Sequence, residues 1–207
     1  GDFNLPTFLL INKMDRDNAN FAKTLESVEK FSETRLIPVQ LPWGEKAAFQ
    51  GVIDLISMKA LKGDGKTVVE IPADLKGPAE EARMKLVEAA AEGDDSLLEK
   101  YLESGELSDE EVVRGFANVV RARAFIPVFV AAAGAQIGIK PLMDAFVNLM
   151  PSPAVAAAVE VEGKGGKESL ACRDDGPLAI YVWKTTADPF VGKQTFLRVY
   201  SGMVTSD

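Results

Sequence analysis

Residues 8 to 16 read FLLINKMDR, an apolar run that stops at an amide, an ammonium and a carboxylate within four positions. A uniformly apolar strand has to be covered on both faces, which is the condition of a parallel sheet sandwiched by helices. Thr7 to Ile11 is therefore expected to be a buried parallel strand. Phe21, Leu25, Val28 and Phe31 then recur at helical spacing, with Asp17 or Asn18 available as an N-cap. Strand, polar loop and helix follow in that order.

From Leu36 the pattern changes to short β-like pieces, LIPVQL, GVIDLI and TVVEI, separated by Gly and Pro turns. Pro78 to Ala122 reads as helices, with Ser108 and Glu111 spaced as a capping box ahead of Val112, Phe116, Val119 and Val120. Ile126 to Val130 returns to a buried strand, and a helix over roughly Lys140 to Leu149 stops at Met150-Pro151-Ser152-Pro153. The simplest topology is an α/β sheet interrupted by an inserted α+β piece between about Leu36 and Arg121. Ala154 to Gly176 has no sustained period and reads as a linker. Beyond it, alternating segments joined at Asp188-Pro189 read as strands, too few for an independent β domain, so the chain is expected to stop inside one.

Composition excludes several chemistries. The 207 residues are 47% apolar, enough to fill a core, and contain no histidine, so serine or cysteine triads and imidazole proton shuttles are ruled out. The one cysteine, Cys172, allows neither an internal disulfide nor a cysteine cage, as fits a reducing cytoplasm. The longest apolar stretch, Ala124 to Ile139, carries Pro127, Gly134, Gln136 and Gly138 and makes a poor membrane span. No N-terminal targeting segment and no membrane partner are expected. The net charge of −8 disfavours nucleic acid as a partner, and no direct sequence-specific contact with it is expected. Pro78 to Glu111 holds twelve Asp or Glu against Arg83, Lys85 and Lys100, a net of −9 that reads first as a solvated helix face.

Ligands of open α/β sheets sit beyond the carboxyl ends of the strands, where Asn12, Lys13 and Asp15 lie. A carboxylate there can accept two hydrogen bonds, and guanine offers adjacent donors at N1 and its exocyclic N2. Adenine presents an acceptor in place of the N1 donor. A site built on such pairing discriminates by roughly four orders of magnitude, because the wrong base leaves a buried carboxylate facing a lone pair. Asn12 would brace the loop and the Lys13 stem would lie along the base. The turn Ala131-Ala132-Ala133-Gly134, after the next core strand, is placed to give an N–H to guanine O6. On the residues alone an alternative stands beside this: a polar strand-to-helix turn in which Asp15 or Asp17 caps the helix.

Taken in order, NLPTFLLINKMDR, PVQLPWG with FQGVIDLISMKA, PVFVAAAGAQIGIKPLMDAFVNLMPSP and DPFVGKQTFLRVYSG resemble bacterial elongation factor G and its elongation-factor-G-like relatives over nearly the whole chain. The resemblance implies the C-terminal half of a P-loop GTPase-type G domain (1–35 and 122–153), an inserted α+β subdomain (36–121), a linker (154–176) and the first strands of an antiparallel β-barrel domain (177–207). It implies a cytoplasmic, ribosome-dependent GTPase that promotes translocation of transfer RNA and messenger RNA, with GTP or GDP bound. Asn12, Lys13 and Asp15 map onto its base-specificity loop, and Ala132 and Ala133 onto a final guanine loop that usually reads Ser-Ala. The backbone N–H of Ala133 survives that difference, whereas a serine hydroxyl orienting the aspartate is lost. The chain contains no GxxxxGK[ST] cradle and no D-x-x-G segment followed by histidine. It is thus expected to be an internal piece without catalytic or metal residues, inactive alone, with magnesium bound only in a full-length parent. The acidic insert is expected to meet the ribosomal stalk. From a different class, a noncatalytic binding module with a degenerate G domain would hold a protein partner through the same insert.

Overall fold

The apolar runs after residue 7 pair edge to edge in parallel. The computed structural model describes residues 5–155, 157–163 and 165–206. Its elements run β1 (Leu9–Ile11), α1 (Phe21–Glu29), β2 (Arg35–Pro38), β3 (Gln40–Trp43), β4 (Gly51–Asp54), β5 (Lys59–Lys62), β6 (Val68–Val69), α2 (Ala73–Ala91), α3 (Asp95–Ser104), α4 (Asp109–Ala122), β7 (Phe125–Val130) and α5 (Ile139–Leu149). Strand β7 lies between β1 and β2 and is parallel to both, with Ile11 opposite Val130 and Leu36 opposite Ile126. Strands β3 to β6 form a separate antiparallel meander. This is the expected mixed α/β architecture.

Alternation along β7 separates two interiors. Phe125 and Phe129 face a core with Leu86, Leu97, Val112, Phe116 and Val120 from the helices α2 to α4. Val128 and Val130 face the other, with Ile11, Met14, Phe21, Leu36, Phe49 and Val52. Residues two apart share a face in any strand, so one strand serves both sides. Strand β2 divides likewise, Ile37 to the first core and Leu36 to the second. It is the third strand of the parallel sheet, although the sequence boundary at residue 36 cuts through it.

Several local expectations change. The N-cap of α1 is Asn20, whose Oδ1 accepts from Lys23 N–H at 2.8 Å, rather than Asp17 or Asn18. Phe31 lies beyond the helix and is 88% exposed. Helix α2 begins at Ala73 and contains Pro78. The bond that this proline cannot donate would go to the carbonyl of Asp74, an exposed residue of the first turn. The capping box forms as spaced: Glu111 N–H donates to Ser108 Oγ at 3.3 Å, and Ser108 N–H to Glu111 Oε2 at 2.8 Å.

Two compact units divide the chain, Gly1–Met150 and Pro151–Asp207. The second contains two antiparallel hairpins, β8 (Val159–Gly163) with β9 (Gly166–Leu170) and β10 (Ala179–Asp188) with β11 (Gly192–Ser201). The stretch expected as a linker thus carries the first hairpin. The β10–β11 turn is closed by Asp188 Oδ1, which accepts from Phe190 N–H at 2.8 Å and Val191 N–H at 2.9 Å. Trp183, on β10, is 58% exposed.

Candidate functional site

Because β1 and β7 are parallel neighbours, the loops leaving their carboxyl ends emerge side by side. Three hydrogen bonds lace them. Ala131 N–H donates to the Ile11 carbonyl at 3.0 Å, and Met14 N–H to the Ala131 carbonyl at 3.2 Å. Asn12 Oδ1 then accepts from Ala133 N–H at 3.0 Å while also accepting from Lys13 N–H at 2.7 Å. One side-chain oxygen thus joins positions 121 residues apart in sequence.

Each loop is held in a restricted shape. Lys13 takes a left-handed backbone, φ 62, which turns the chain between the strand and Asp15. Met14 is 1% exposed and inserts into the second core, so the loop is anchored by an apolar side chain between two polar ones. In the other loop Ala132 and Ile137 exchange N–H···O bonds of 3.0 and 3.2 Å around a short 3-10 turn at Ala133–Ala135. Gly138, at φ 79, closes it; a Cβ there would lie 2.5 Å from the Val130 carbonyl oxygen, so only glycine fits.

Asn12, Lys13 and Ala133 are exposed, Asp15 is half-buried and Ala132 is buried. Ala132 places its methyl group in the second core. The Ala133 N–H, which the sequence offers to guanine O6, is taken by Asn12. The neighbouring Gly134 N–H has no acceptor among the described residues, and the space above Gly134 is open. No protein donor among the described residues reaches the Asp15 carboxylate. The surface therefore presents a carboxylate on one loop and, among the described residues, an unbonded N–H on the other.

Two features go beyond the sequence reading. Gly134 is named there only as part of the Ala131–Gly134 turn, with the surviving N–H assigned to Ala133. Lys46, in the β3–β4 loop, donates its backbone N–H to the Met14 carbonyl at 2.9 Å, a contact that no spacing or residue type signals. Among the described residues no group of three or more His, Cys, Asp or Glu could hold a metal ion. No helix among them is long and apolar enough to cross a membrane.

Comparison with known proteins adds two findings. The profile of the family described as Elongation factor Tu GTP binding domain matches residues 2–152. The crystal structure of ttk003000868 from Thermus thermophilus superposes with a TM-score of 0.77 at 29% sequence identity, over 96% of this chain and 28% of that one. The chain thus spans little more than a quarter of the solved protein it matches.

Proposed function

Because this chain belongs to the family of the elongation factor Tu GTP-binding domain, we propose that it is the guanine-recognising part of a translational GTPase of the elongation factor G kind. In this reading Asp15 accepts the N1 and N2 hydrogens of guanine, Gly134 N–H donates to O6, and the Lys13 stem lies along the base. Asn12 holds the two loops together. The observation that carries it is the Asn12 Oδ1 bond to Ala133 N–H, which sets both halves of the base pocket in one frame.

The wider reading is of a ribosome-dependent, cytoplasmic factor that uses GTP hydrolysis to promote movement of transfer RNA and messenger RNA. Residues 1–35 and 122–153 would supply base recognition, 36–121 the insert, and 177–207 the opening strands of a β-barrel. The motif order and the share of the solved relative that is covered support a larger parent. Phosphate and magnesium contacts belong to sequence motifs these residues do not contain, so this chain alone turns over no GTP. The acidic surface of α2 to α4 would steer the parent toward a basic patch of the ribosomal stalk, and a stalk interaction indifferent to salt would remove that part of the reading.

Titration of the isolated chain with GDP tests the site. Base contacts without phosphate contacts should give a dissociation constant on the order of millimolar, about −4 kcal/mol, abolished by Asp15→Ala. Micromolar binding, or GTP turnover above a buffer blank that disappears on Asp15→Ala, would contradict it.

A further inference from the structure

We propose that the β3–β4 loop, far from the base loops in sequence, positions Asp15 and so sets how well the site reads the guanine amino group. The inference rests on the guanine reading of Asn12 to Asp15 and deepens it. The Met14–Asp15 peptide is the last rigid unit before the carboxylate. Its carbonyl accepts from Lys46 N–H at 2.9 Å, and the Met14 N–H is bonded to Ala131. Both polar groups of Met14 are thereby fixed, one by the loop after β7 and one by the insert. Phe49, four residues on from Glu45, is buried in the same cluster as Met14.

The loop that delivers Lys46 has little freedom. Lys46 stands at φ 55, and Gly44 at φ 82 packs so tightly that an added Cβ would sit 2.0 Å from the Ala48 carbonyl oxygen. Ala48 N–H donates to Glu45 O and Phe49 N–H to Lys46 O, both at 3.0 Å. The same antiparallel sheet supports the other base loop, because Gly63 lies against Ile137, whose side chain an added Cβ would meet at 2.9 Å. Ala132 stands where the resemblance expects a serine hydroxyl to orient the aspartate. Here a backbone donor from the insert does the orienting, one peptide earlier. Lys46 is in this sense a positioning residue that acts through Met14 and touches no ligand.

The test compares GDP with IDP, whose base lacks the N2 amino group, by amide NMR titration of the intact chain. A correctly aimed Asp15 should favour GDP by roughly tenfold or more, the worth of one hydrogen bond to a charged group. Gly44→Ala, which opens the loop, should reduce that ratio by roughly three- to tenfold, whereas Lys46→Gly, which keeps the N–H and relieves the left-handed backbone, should preserve it. A general loosening would weaken both nucleotides equally and leave the ratio unchanged, and that result overturns the inference while leaving the guanine reading intact. Absence of any GDP response in the unaltered chain defeats the guanine reading itself. Should Gly44→Ala fail to fold, hydrogen exchange of the unaltered chain decides: the Lys46 amide is expected to be protected relative to Ala47, and equal exchange of the two overturns the inference.

Discussion

Replacing Asn12 with alanine separates what the cross-loop bond does for stability from what it does for recognition. The Oδ1 atom accepts from Lys13 N–H at 2.7 Å and Ala133 N–H at 3.0 Å, so two bonds are lost. An intramolecular hydrogen bond contributes about 0.5–1.5 kcal/mol net, and here both donors belong to exposed residues to which water has access. The loss of folding stability should thus fall near the low end, about 1 kcal/mol for the pair. For a chain of this length that corresponds to a drop in Tm of roughly 2–4 °C by thermal denaturation. Recognition should suffer more, because the Ala133–Gly134 end of the second loop loses its tie to the first and only the bonds at Ala131 still join them; GDP affinity measured by NMR titration should fall by about tenfold or more, or roughly 1.4 kcal/mol. Asn12→Asp keeps an acceptor oxygen toward both N–H groups and should restore stability. The reasoning is refuted if Asn12→Ala binds GDP as well as the parent sequence, or if Asn12→Asp loses as much stability as Asn12→Ala.

Two further outcomes follow from the core and from a surface turn. Phe116, on α4, is fully buried in the first core, so Phe116→Ala should cost about 3–5 kcal/mol, read in urea as a lower midpoint with an unchanged slope; a loss below about 1 kcal/mol would show that the helical core collapses around the gap. In the β5–β6 turn, Thr67 Oγ1 at 2.5 Å, Thr67 N–H at 2.8 Å and Lys66 N–H at 2.9 Å all donate to the Asp64 carboxylate and hold its pKa down at about 2, against 3.8 unperturbed. Since the folded value lies below the unfolded one, this contribution is complete above pH 3.8 and is lost as the pH falls toward 2. An NMR titration of Asp64 should therefore show a midpoint near 2 that moves up in Thr67→Val, and a midpoint at the ordinary value in the unaltered chain would be the contrary result.

Two of the three parallel strands could be read from the sequence because their apolar runs leave no room for polar residues: FIPVFV and FLLI announce themselves, whereas β2, which begins at the exposed Arg35, reads with the inserted pieces. The capping box at Ser108 was equally plain, since its geometry is confined to four residues. Asn20 escaped because Asp17, Asn18 and Asn20 are all competent caps, and the choice among them depends on where the loop docks. The hairpin at 159–170 escaped for a different reason. Its Val159-Glu160-Val161-Glu162 alternation runs for only four residues and nearly all of its described residues are exposed, so the signal sits at the short limit of a strand and is lost among the surrounding Gly, Lys and Glu. For the site, Asn12, Lys13 and Asp15 were visible as residue types at a strand end, whereas the engagement of Ala133 by Asn12, the free N–H of Gly134 and the Lys46 support depend on how separate loops meet in space.

Strand β7 also limits how this chain can change. It is a party wall with aromatic rings on one side and valines on the other. Inserting or deleting one residue between 125 and 130 would move every side chain on one side of the change through the wall at once, pushing rings where branched aliphatics fit. Substitution remains open to this segment, but single-residue indels are closed to it, and variation in length is confined to the turns.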